Sequence, residues 1–214
     1  MYMSNKLYVP YIQESWRSFK FKNPLFQLMG LRGVIAGHTK CEENMLKKYA
    51  TGCKTLVEIG VAEGASALEL RRVADSAGTL YLIDPYLPGH IPALNLTKLV
   101  AHSYVAHCDN AKAIWIEEFS YKAVKNWIKK IDFLFIDGDH SYEGCQQDWQ
   151  NWSPFVEKAG IVAFHDARIF KNGWTNKDWG SVKVVNEILE NQTSTWEMID
   201  EVDSLAIFIK KSVI

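Results

Sequence analysis

The protein has 214 residues and a formal net charge of -1, with 48% hydrophobic and 23% charged residues. This length suits one α/β domain with a buried core, and the composition excludes a disordered chain or a membrane-spanning bundle. The near-neutral charge gives no electrostatic signature for nucleic acid or a membrane surface, so we expect neither as a partner. Four separated cysteines and the absence of a recognisable signal peptide predict a reduced, cytoplasmic protein.

Residues 1–40 form the least regular part of the chain, where aromatic and basic side chains are mixed with prolines and glycines. This pattern favours a lid or an oligomer-contact segment, and the second interpretation is consistent with a homodimer. Residues 41–214 then form a single domain, which begins with a short helix at about 41–49.

From residue 56 onwards, strand and helix patterns alternate, which predicts a mostly parallel sheet with helices on both faces. Short apolar runs predict five strands, at 56–59, 80–83, 104–107, 133–136 and 161–164. Amphipathic patterns predict helices at 65–74, within 111–130, from 142 to about 156, and at 182–189. Two further strands, 196–199 and 205–209, are joined by a tight link and predict a C-terminal antiparallel hairpin.

A glycine-containing turn, Val57–Gly64, follows the first predicted strand. Ligands of open α/β sheets bind at the carboxyl ends of the strands, and Gly60 and Gly64 let the backbone approach such a ligand closely. The dinucleotide fingerprint would need glycine at positions 62 and 65, where this chain has alanine, so an oxidoreductase with a nicotinamide cofactor is disfavoured. Glu58 suits a cationic ligand group. An ordinary strand-to-helix turn is the alternative.

Asp84 ends the second predicted strand. A carboxylate at this position can accept hydrogen bonds from both hydroxyls of a ribose. The alternative is an aspartate that only shapes the turn before Pro85. Together with the glycine turn, Asp84 favours a nucleoside-containing ligand.

Acidic and histidine residues follow the next two core strands, as Asp137-Gly138-Asp139-His140-Ser141 and His165-Asp166. Neighbouring strands lie about 4.8 Å apart, so Asp137 and Asp166 can converge on one cation, with His165 or Asp139 completing the set. Oxygen ligands without cysteine favour Mg²⁺ or Mn²⁺. The alternatives are that His165 only orients the strand end and that no metal binds. For Asp139 and Ser141 we favour a turn and a helix cap.

His140 is predicted to be a general base that takes a proton from a hydroxyl group, because an alcohol is a poor nucleophile until its proton leaves. The helix that follows has a partial positive charge at its N-terminus, which favours the neutral imidazole. Trp174 and Trp179 are expected to contact the substrate beside His140, or else to pack the last helix. For His38 and Glu42 we favour core or surface positions over positions that face the site.

The sequence resembles the class I S-adenosylmethionine-dependent methyltransferases. The resemblance covers residues 38–190 and is carried by the motifs EIGVAEG (58–64), IDP (83–85), FIDGDHSYEG (135–144) and GIVAFHD (160–166). These motifs are most similar to the branch of macrolide-sugar O-methyltransferases, with cephalosporin-hydroxylase-like proteins as near relatives. The resemblance implies a Rossmann-like, seven-stranded, mostly parallel sheet with the C-terminal hairpin.

The resemblance also implies residue roles. Glu58 and Gly60 would contact the methionine end of S-adenosylmethionine, Asp84 the ribose, and Asp109 or Asn110 the adenine. The cofactor site would further include Ala62, Gly64, Ser66 and Asp137. Cys108-Asp109-Asn110 departs from the pattern of the family, and a helix-capping Asp109 is the alternative. Ala167 stands where related metal-dependent enzymes often have another ligand.

We therefore predict an O-methyltransferase that methylates a hydroxyl of a small molecule or glycan, with a sugar favoured over a catechol-type phenol. Asp137 and His140 would carry the chemistry. A non-methylating, hydroxylase-like relative that keeps the fold is the remaining alternative.

Overall fold

A computed structural model describes residues 24–31, 33–87, 95–191 and 194–211. Its centre is a seven-stranded sheet with the order β3-β2-β1-β4-β5-β7-β6. The strands are β1 (Thr55–Ile59), β2 (Thr79–Ile83), β3 (Lys112–Ile116), β4 (Ile131–Ile136), β5 (Val156–Phe164), β6 (Trp196–Val202) and β7 (Leu205–Lys210). The first five pair in parallel, whereas β7 is antiparallel to β5 and to β6. The predicted fold class and hairpin are confirmed.

Seven α-helices are present in these ranges. They are α1 (Pro24–Leu28), α2 (Lys40–Ala50), α3 (Ala65–Val73), α4 (Leu96–Val105), α5 (Ser120–Ala123), α6 (Tyr142–Trp152) and α7 (Gly180–Asn191). Local sequence signals set the starts of two of them. Thr39 and Glu42 form a reciprocal capping box at α2, and Ser141 caps α6. None of the helices in the described ranges is both long and apolar enough to cross a bilayer.

Two apolar layers bury the sheet, one on each face. Val57 and Leu134 belong to the layer under α6 and α7, while Leu56 and Phe133 belong to the layer under α2 and α3. This division follows from the alternation of side chains along a strand. Burying each large apolar side chain contributes about 1.5–3 kcal/mol, so the strand ends are held on a rigid frame.

The third strand was predicted in the wrong place. Residues 104–107 are not a strand, because Tyr104 and Val105 form the last turn of α4. They are buried with Val100 and Ala101, a helical spacing that a four-residue window does not reveal. The real third strand, β3, lies at the edge of the sheet and is only half-buried, so its sequence signal is weak.

The long helix predicted within 111–130 is also wrong. This stretch holds β3, the short α5 and a 3₁₀ turn at Val124–Asn126. Trp127 is buried, but Ile128 is 90% exposed, so the apolar residues do not share one helical face. Most of the predicted N-terminal segment, residues 1–23, lies outside the described residues.

Candidate active site

A cavity of about 1090 Å³ opens at the carboxyl edge of the sheet. The ends of β1, β2, β4 and β5 form its floor, and the segment before α7 forms one wall. Of the residues predicted from sequence to bind or react, those that line it are Gly60, Ala62, Ser66, Asp84, Asp137, His140, His165, Asp166, Trp174 and Trp179. The sheet therefore brings most of the predicted site together in one place.

The turn after β1 is tied to the end of β2 through Asp84. One Asp84 carboxylate oxygen, Oδ2, accepts hydrogen bonds from the backbone N–H groups of Val61 and Ala62, both at 3.0 Å. The other, Oδ1, accepts from Tyr86 N at 2.8 Å. Asp84 thus shapes the turn and at the same time faces the cavity with lone pairs that remain available.

Glu58 lies one hydrogen bond away from the cavity, not on its surface. The carboxyl group is fully buried, Ser66 Oγ donates to its Oε1, and Oε2 has no hydrogen-bond partner among the described residues. Burial raises the pKa of Glu58 well above its ordinary value, and the nearby charges of Asp137 and Asp84 add to this effect. Ser66 is therefore the group that a ligand would meet here. Gly64, at the start of α3, also lies outside the cavity lining.

Asp109 and Asn110 do not reach the cavity. The Asn110 side chain donates to the carbonyl oxygens of Arg71, Arg72 and Ala74 at 3.3, 3.1 and 2.7 Å, so it caps the C-terminus of α3. Asp109 precedes a strand and caps no helix in the part of the chain that is described. The adenine contact that the resemblance implied for these two residues is therefore not supported by their positions.

Residues after the true β3 line the cavity instead, and they were not predicted from the sequence. They are Phe119, Ser120 and Tyr121, together with Asp148 of α6. Ser120 Oγ donates to Asp148 Oδ1. Burial raises the pKa of Asp148 to about 6, against the lowering effect of the Ser120 hydrogen bond. A correct placement of β3 would have predicted them, because residues that follow the carboxyl end of a strand lie at this edge of the sheet.

His140 stands at the mouth of the site between two carboxylates. Its Nε2 is 3.9 Å from Asp137 Oδ1, and its Nδ1 is 3.7 Å from Asp166 Oδ2. The side chain is 39% exposed, so a bound molecule can reach it. The predicted turn and cap around it are confirmed: Asp139 Oδ1 accepts from Ser141 N at 2.8 Å, and Ser141 Oγ accepts from Gly144 N at 3.1 Å.

Asp166 is held firmly although its backbone is unfavourable. It adopts a left-handed conformation with φ of +54°, which is uncommon outside glycine. Ser181 Oγ donates to its carbonyl oxygen at 2.6 Å, and Trp174 Nε1 donates to its Oδ1 at 2.5 Å. Such strain persists where the surroundings over-determine the geometry, as they do at functional sites.

His165 lies buried beneath His140 and is only 3% exposed. Its Nδ1 is 2.9 Å from Asp137 Oδ1 and 3.4 Å from Asp166 Oδ1. On the other side of the ring, Nε2 is 3.4 Å from Glu42 Oε2 and has no hydrogen-bond partner among the described residues. Burial alone would lower the pKa of His165, but the carboxylates, Asp137 foremost, raise it well above its ordinary value.

The predicted metal ligand His165 is surrounded by carboxylates. Its Nδ1 contacts the Oδ1 atoms of Asp137 and Asp166, and its Nε2 lies near Glu42 Oε2. The second carboxylate oxygen of Asp166, Oδ2, faces His140 Nδ1 and does not contact the His165 ring. Within the described ranges, no three His, Cys, Asp or Glu side chains are arranged to hold a metal ion. A metal bound by Asp137 and Asp166 stays a prediction.

The two tryptophans before α7 cover the site. Trp174 is bonded to Asp166, and the Trp179 ring centre lies 5.8 Å from that of His140. Gly180 fixes this wall, because a Cβ there would be 2.1 Å from Tyr142 N at the start of α6. His38, for which a position facing the site was the less favoured alternative, is buried and also lines the cavity.

Comparison with known proteins agrees with this geometry. Residues 57–167 match the model of a family described as a methyltransferase domain. The uncharacterized protein R132 of Acanthamoeba polyphaga mimivirus is 26% identical over 162 residues, which are 75% of this chain and 72% of R132.

Two solved structures share the fold. One, from Klebsiella pneumoniae and provisionally named an O-methyltransferase, has a TM-score of 0.62 at 13% identity and covers 82% of each chain. The other is an O-methyltransferase from Bacillus cereus in complex with SAH (S-adenosylhomocysteine), with a TM-score of 0.57 at 16% identity. That match covers 81% of this chain and 82% of the other. Because the family match includes the ends of β1, β2, β4 and β5, which carry the site, this chain belongs to the methyltransferase-domain family.

Proposed function

We propose that this chain is an S-adenosylmethionine-dependent O-methyltransferase that acts on a hydroxyl group of a small molecule or glycan, with a sugar as the favoured acceptor. One observation carries the proposal: His140, flanked by two carboxylates, opens on the same cavity as the Gly60 turn and Asp84. A base for the acceptor and a crevice for a nucleoside thus lie side by side.

The Asp84 side of the cavity suits the cofactor. The carboxylate of Asp84 is fixed by backbone N–H groups and retains lone pairs that can accept hydrogen bonds from ribose hydroxyls. Ser66, backed by buried Glu58, lines the adjoining wall, where a polar methionine moiety would lie. The O-methyltransferase from Bacillus cereus, which shares the fold, was solved in complex with SAH, and this supports S-adenosylmethionine as the cofactor.

The His140 side suits proton removal from the acceptor. In the proposed reaction His140 takes the hydroxyl proton, the acceptor oxygen bonds to the methyl carbon, and the carbon–sulfur bond breaks to leave S-adenosylhomocysteine. The Asp137 and Asp166 carboxylates, 3.9 and 3.7 Å away, stabilise the imidazolium that forms. Such a base contributes about 10²–10⁴-fold to the rate.

The preference for a sugar draws on the aromatic wall and on the motifs shared with macrolide-sugar enzymes. Trp179 presents its ring next to His140, and aromatic faces stack well on the apolar faces of sugars. A Trp179→Ala change is expected to raise the acceptor KM and to leave the KM for S-adenosylmethionine unchanged. Phenols are the competing acceptors.

Two measurements test the proposal. Calorimetry should detect binding of S-adenosylhomocysteine and none of NAD. Methyl transfer from labelled cofactor should then be measured across a panel of glycans and phenols, with the His140→Gln variant as the blank. NAD binding in place of S-adenosylhomocysteine would refute the proposal, and labelling of phenols alone would replace the sugar by a phenol.

A further inference from the structure

Asp148 of α6 has an open hydrogen-bonding atom in the cavity and no part in the proposed methyl transfer. The residue is only 4% exposed, yet it lines the cavity. Ser120 Oγ donates to its Oδ1, whereas Oδ2 accepts no hydrogen bond from the described residues. A buried carboxylate oxygen without a donor is costly. Asp148 Oδ2 is therefore suited to a donor that a ligand brings into the cavity.

The order of the strands determines which part of a bound cofactor lies at Asp148. In the proposed function, the transferred methyl group lies near His140, which follows β4, and the ribose lies at Asp84, which follows β2. Because the order of the strands is β3-β2-β1-β4, a molecule extended along this edge continues beyond Asp84 toward the end of β3. Ser120, the hydrogen-bond partner of Asp148, follows β3. The part of the cofactor that meets Asp148 is therefore the base.

The surroundings of Asp148 suit a planar base that carries an amino group. Phe119 and Tyr121, on either side of Ser120 in the chain, line the cavity with side chains that are 38% and 37% exposed. Aromatic rings pack well against flat, partly apolar groups. Gly138 leaves Asp148 Oδ2 uncovered, because a Cβ at position 138 would be 3.2 Å from that oxygen. Among the described residues that line the cavity, no lysine or arginine is present to pair with the carboxylate.

We infer that Asp148, oriented by Ser120, accepts a hydrogen bond from the 6-amino group of adenine and so selects a cofactor whose base carries that group. The inference rests on the proposed function, because it concerns the cofactor named there. An ionised carboxylate only accepts hydrogen bonds, so it attracts an amino group. Ser120 is a positioning residue, since its hydroxyl occupies Oδ1 and leaves Oδ2 for the base. Asp148 thus takes the adenine contact that the resemblance implied for Asp109 or Asn110.

Calorimetry with two ligands tests the inference at pH 7.5, where Asp148 is ionised because its pKa is about 6. One ligand is S-adenosylhomocysteine, and the other is the same molecule with purine, which lacks the 6-amino group, in place of adenine. We expect the wild type to bind the purine analogue about 10–100-fold more weakly, as for a lost hydrogen bond to a charged group.

Asp148→Asn should bind the two ligands with affinities that agree within about twofold. In this variant Ser120 still donates to the side-chain oxygen, so the NH₂ group faces the base, and an NH₂ group cannot accept from the amino group of adenine. Asp139→Asn is the matched control, because Asp139 lines the same cavity but accepts from Ser141 N in the turn before α6. It should keep the wild-type ratio of affinities.

The double variant Ser120→Ala/Asp148→Asn tests the positioning role of Ser120. Without the Ser120 hydroxyl, the amide of Asn is free to turn its oxygen toward the base, so part of the preference for adenine should return. A Ser120 that only supports the fold would not produce this recovery, and a ratio unchanged from Asp148→Asn would remove Ser120 from the inference.

Equal affinity of the wild type for the two ligands would overturn the inference, and so would a preference for adenine that persists in Asp148→Asn. Should Asp148→Asn not fold, the wild-type comparison decides by itself. Failure of the proposed function is distinguishable, because the wild type would then bind neither ligand.

Discussion

Gly60 at the end of β1 lies directly against Asp137 at the end of β4: a Cβ built on Gly60 would be 2.0 Å from the Asp137 carbonyl oxygen. Gly60 also has a φ of +84°, a conformation that side chains disfavour. This contact sets the distance between the turn that borders the cofactor side of the cavity and the carboxylate that borders the acceptor side. The spacing of the two sides of the cavity therefore requires glycine at position 60.

The first prediction concerns that contact. We expect Gly60→Ala to lower the free energy of unfolding by about 2–5 kcal/mol, the sum of left-handed strain and overpacking, and to weaken binding of S-adenosylhomocysteine. Gly52→Ala is the control, because Gly52 has a φ of +75° but no atom within 4 Å of its Cβ position. That variant should lose only about 1–2 kcal/mol in urea unfolding. Equal losses in both would show that the Asp137 contact does not matter.

The second prediction concerns His140. His140→Gln should lower kcat by about 10²–10⁴-fold, because the base is lost. Calorimetry should give the same affinity for S-adenosylhomocysteine as the wild type, because His140 lies on the acceptor side. His107→Gln, a change at a histidine outside the cavity lining, should leave both quantities unaltered. Wild-type turnover in His140→Gln would remove this residue as the base.

The third prediction concerns Asp84. In Asp84→Asn an NH₂ group replaces one carboxylate oxygen. The lost oxygen is either Oδ2, which accepts hydrogen bonds from Val61 N and Ala62 N, or Oδ1, which accepts one from Tyr86 N. A bound ribose would also lose a charged hydrogen-bond acceptor. We expect the affinity for S-adenosylhomocysteine to fall about 10–100-fold, which corresponds to a hydrogen bond to a charged group. Asp75→Asn, in a turn at the opposite edge of the sheet, should bind like the wild type. Unchanged affinity in Asp84→Asn would move the ribose elsewhere.

The fourth prediction concerns the pH dependence of stability at Asp148. Its pKa is about 6 in the folded protein against an ordinary 3.8, so the folded state holds more protons between these values. Stability from this group is therefore full below pH 4 and is lost as pH rises through 6. Relative to the wild type, Asp148→Asn should gain up to about 3 kcal/mol in unfolding free energy between pH 4 and pH 8.

Ser120→Ala should change the pH dependence of stability in the opposite direction to Asp148→Asn. The Ser120 hydrogen bond lowers the pKa of Asp148, so its removal should destabilise the protein more at pH 8 than at pH 4. Urea unfolding at pH 4, 6 and 8 measures both variants. A difference between Asp148→Asn and the wild type that does not change with pH would contradict a raised pKa.

Buried strands and caps were predictable because their signals are local. The apolar run before Asp137 and the Ser141 cap each lie within a few residues, and the structure has them where they were predicted. β3 was missed because an edge strand needs fewer apolar residues, and Asn110 was misassigned as a result. The apolar residues at the end of α4 were wrongly predicted to form the third strand.

The sequence by itself determined a mostly parallel sheet with a C-terminal hairpin, its glycine turn and the strand ends on which Asp84, Asp137, His140 and Asp166 stand, since local apolar patterns and turn residues specify them. Only the tertiary structure decided what lies beside those groups. Glu42 on α2 meets His165 at the end of β5 because the sheet packs distant segments together, and no local pattern encodes that contact. The surroundings of the His165 ring therefore follow from that packing and not from the motif.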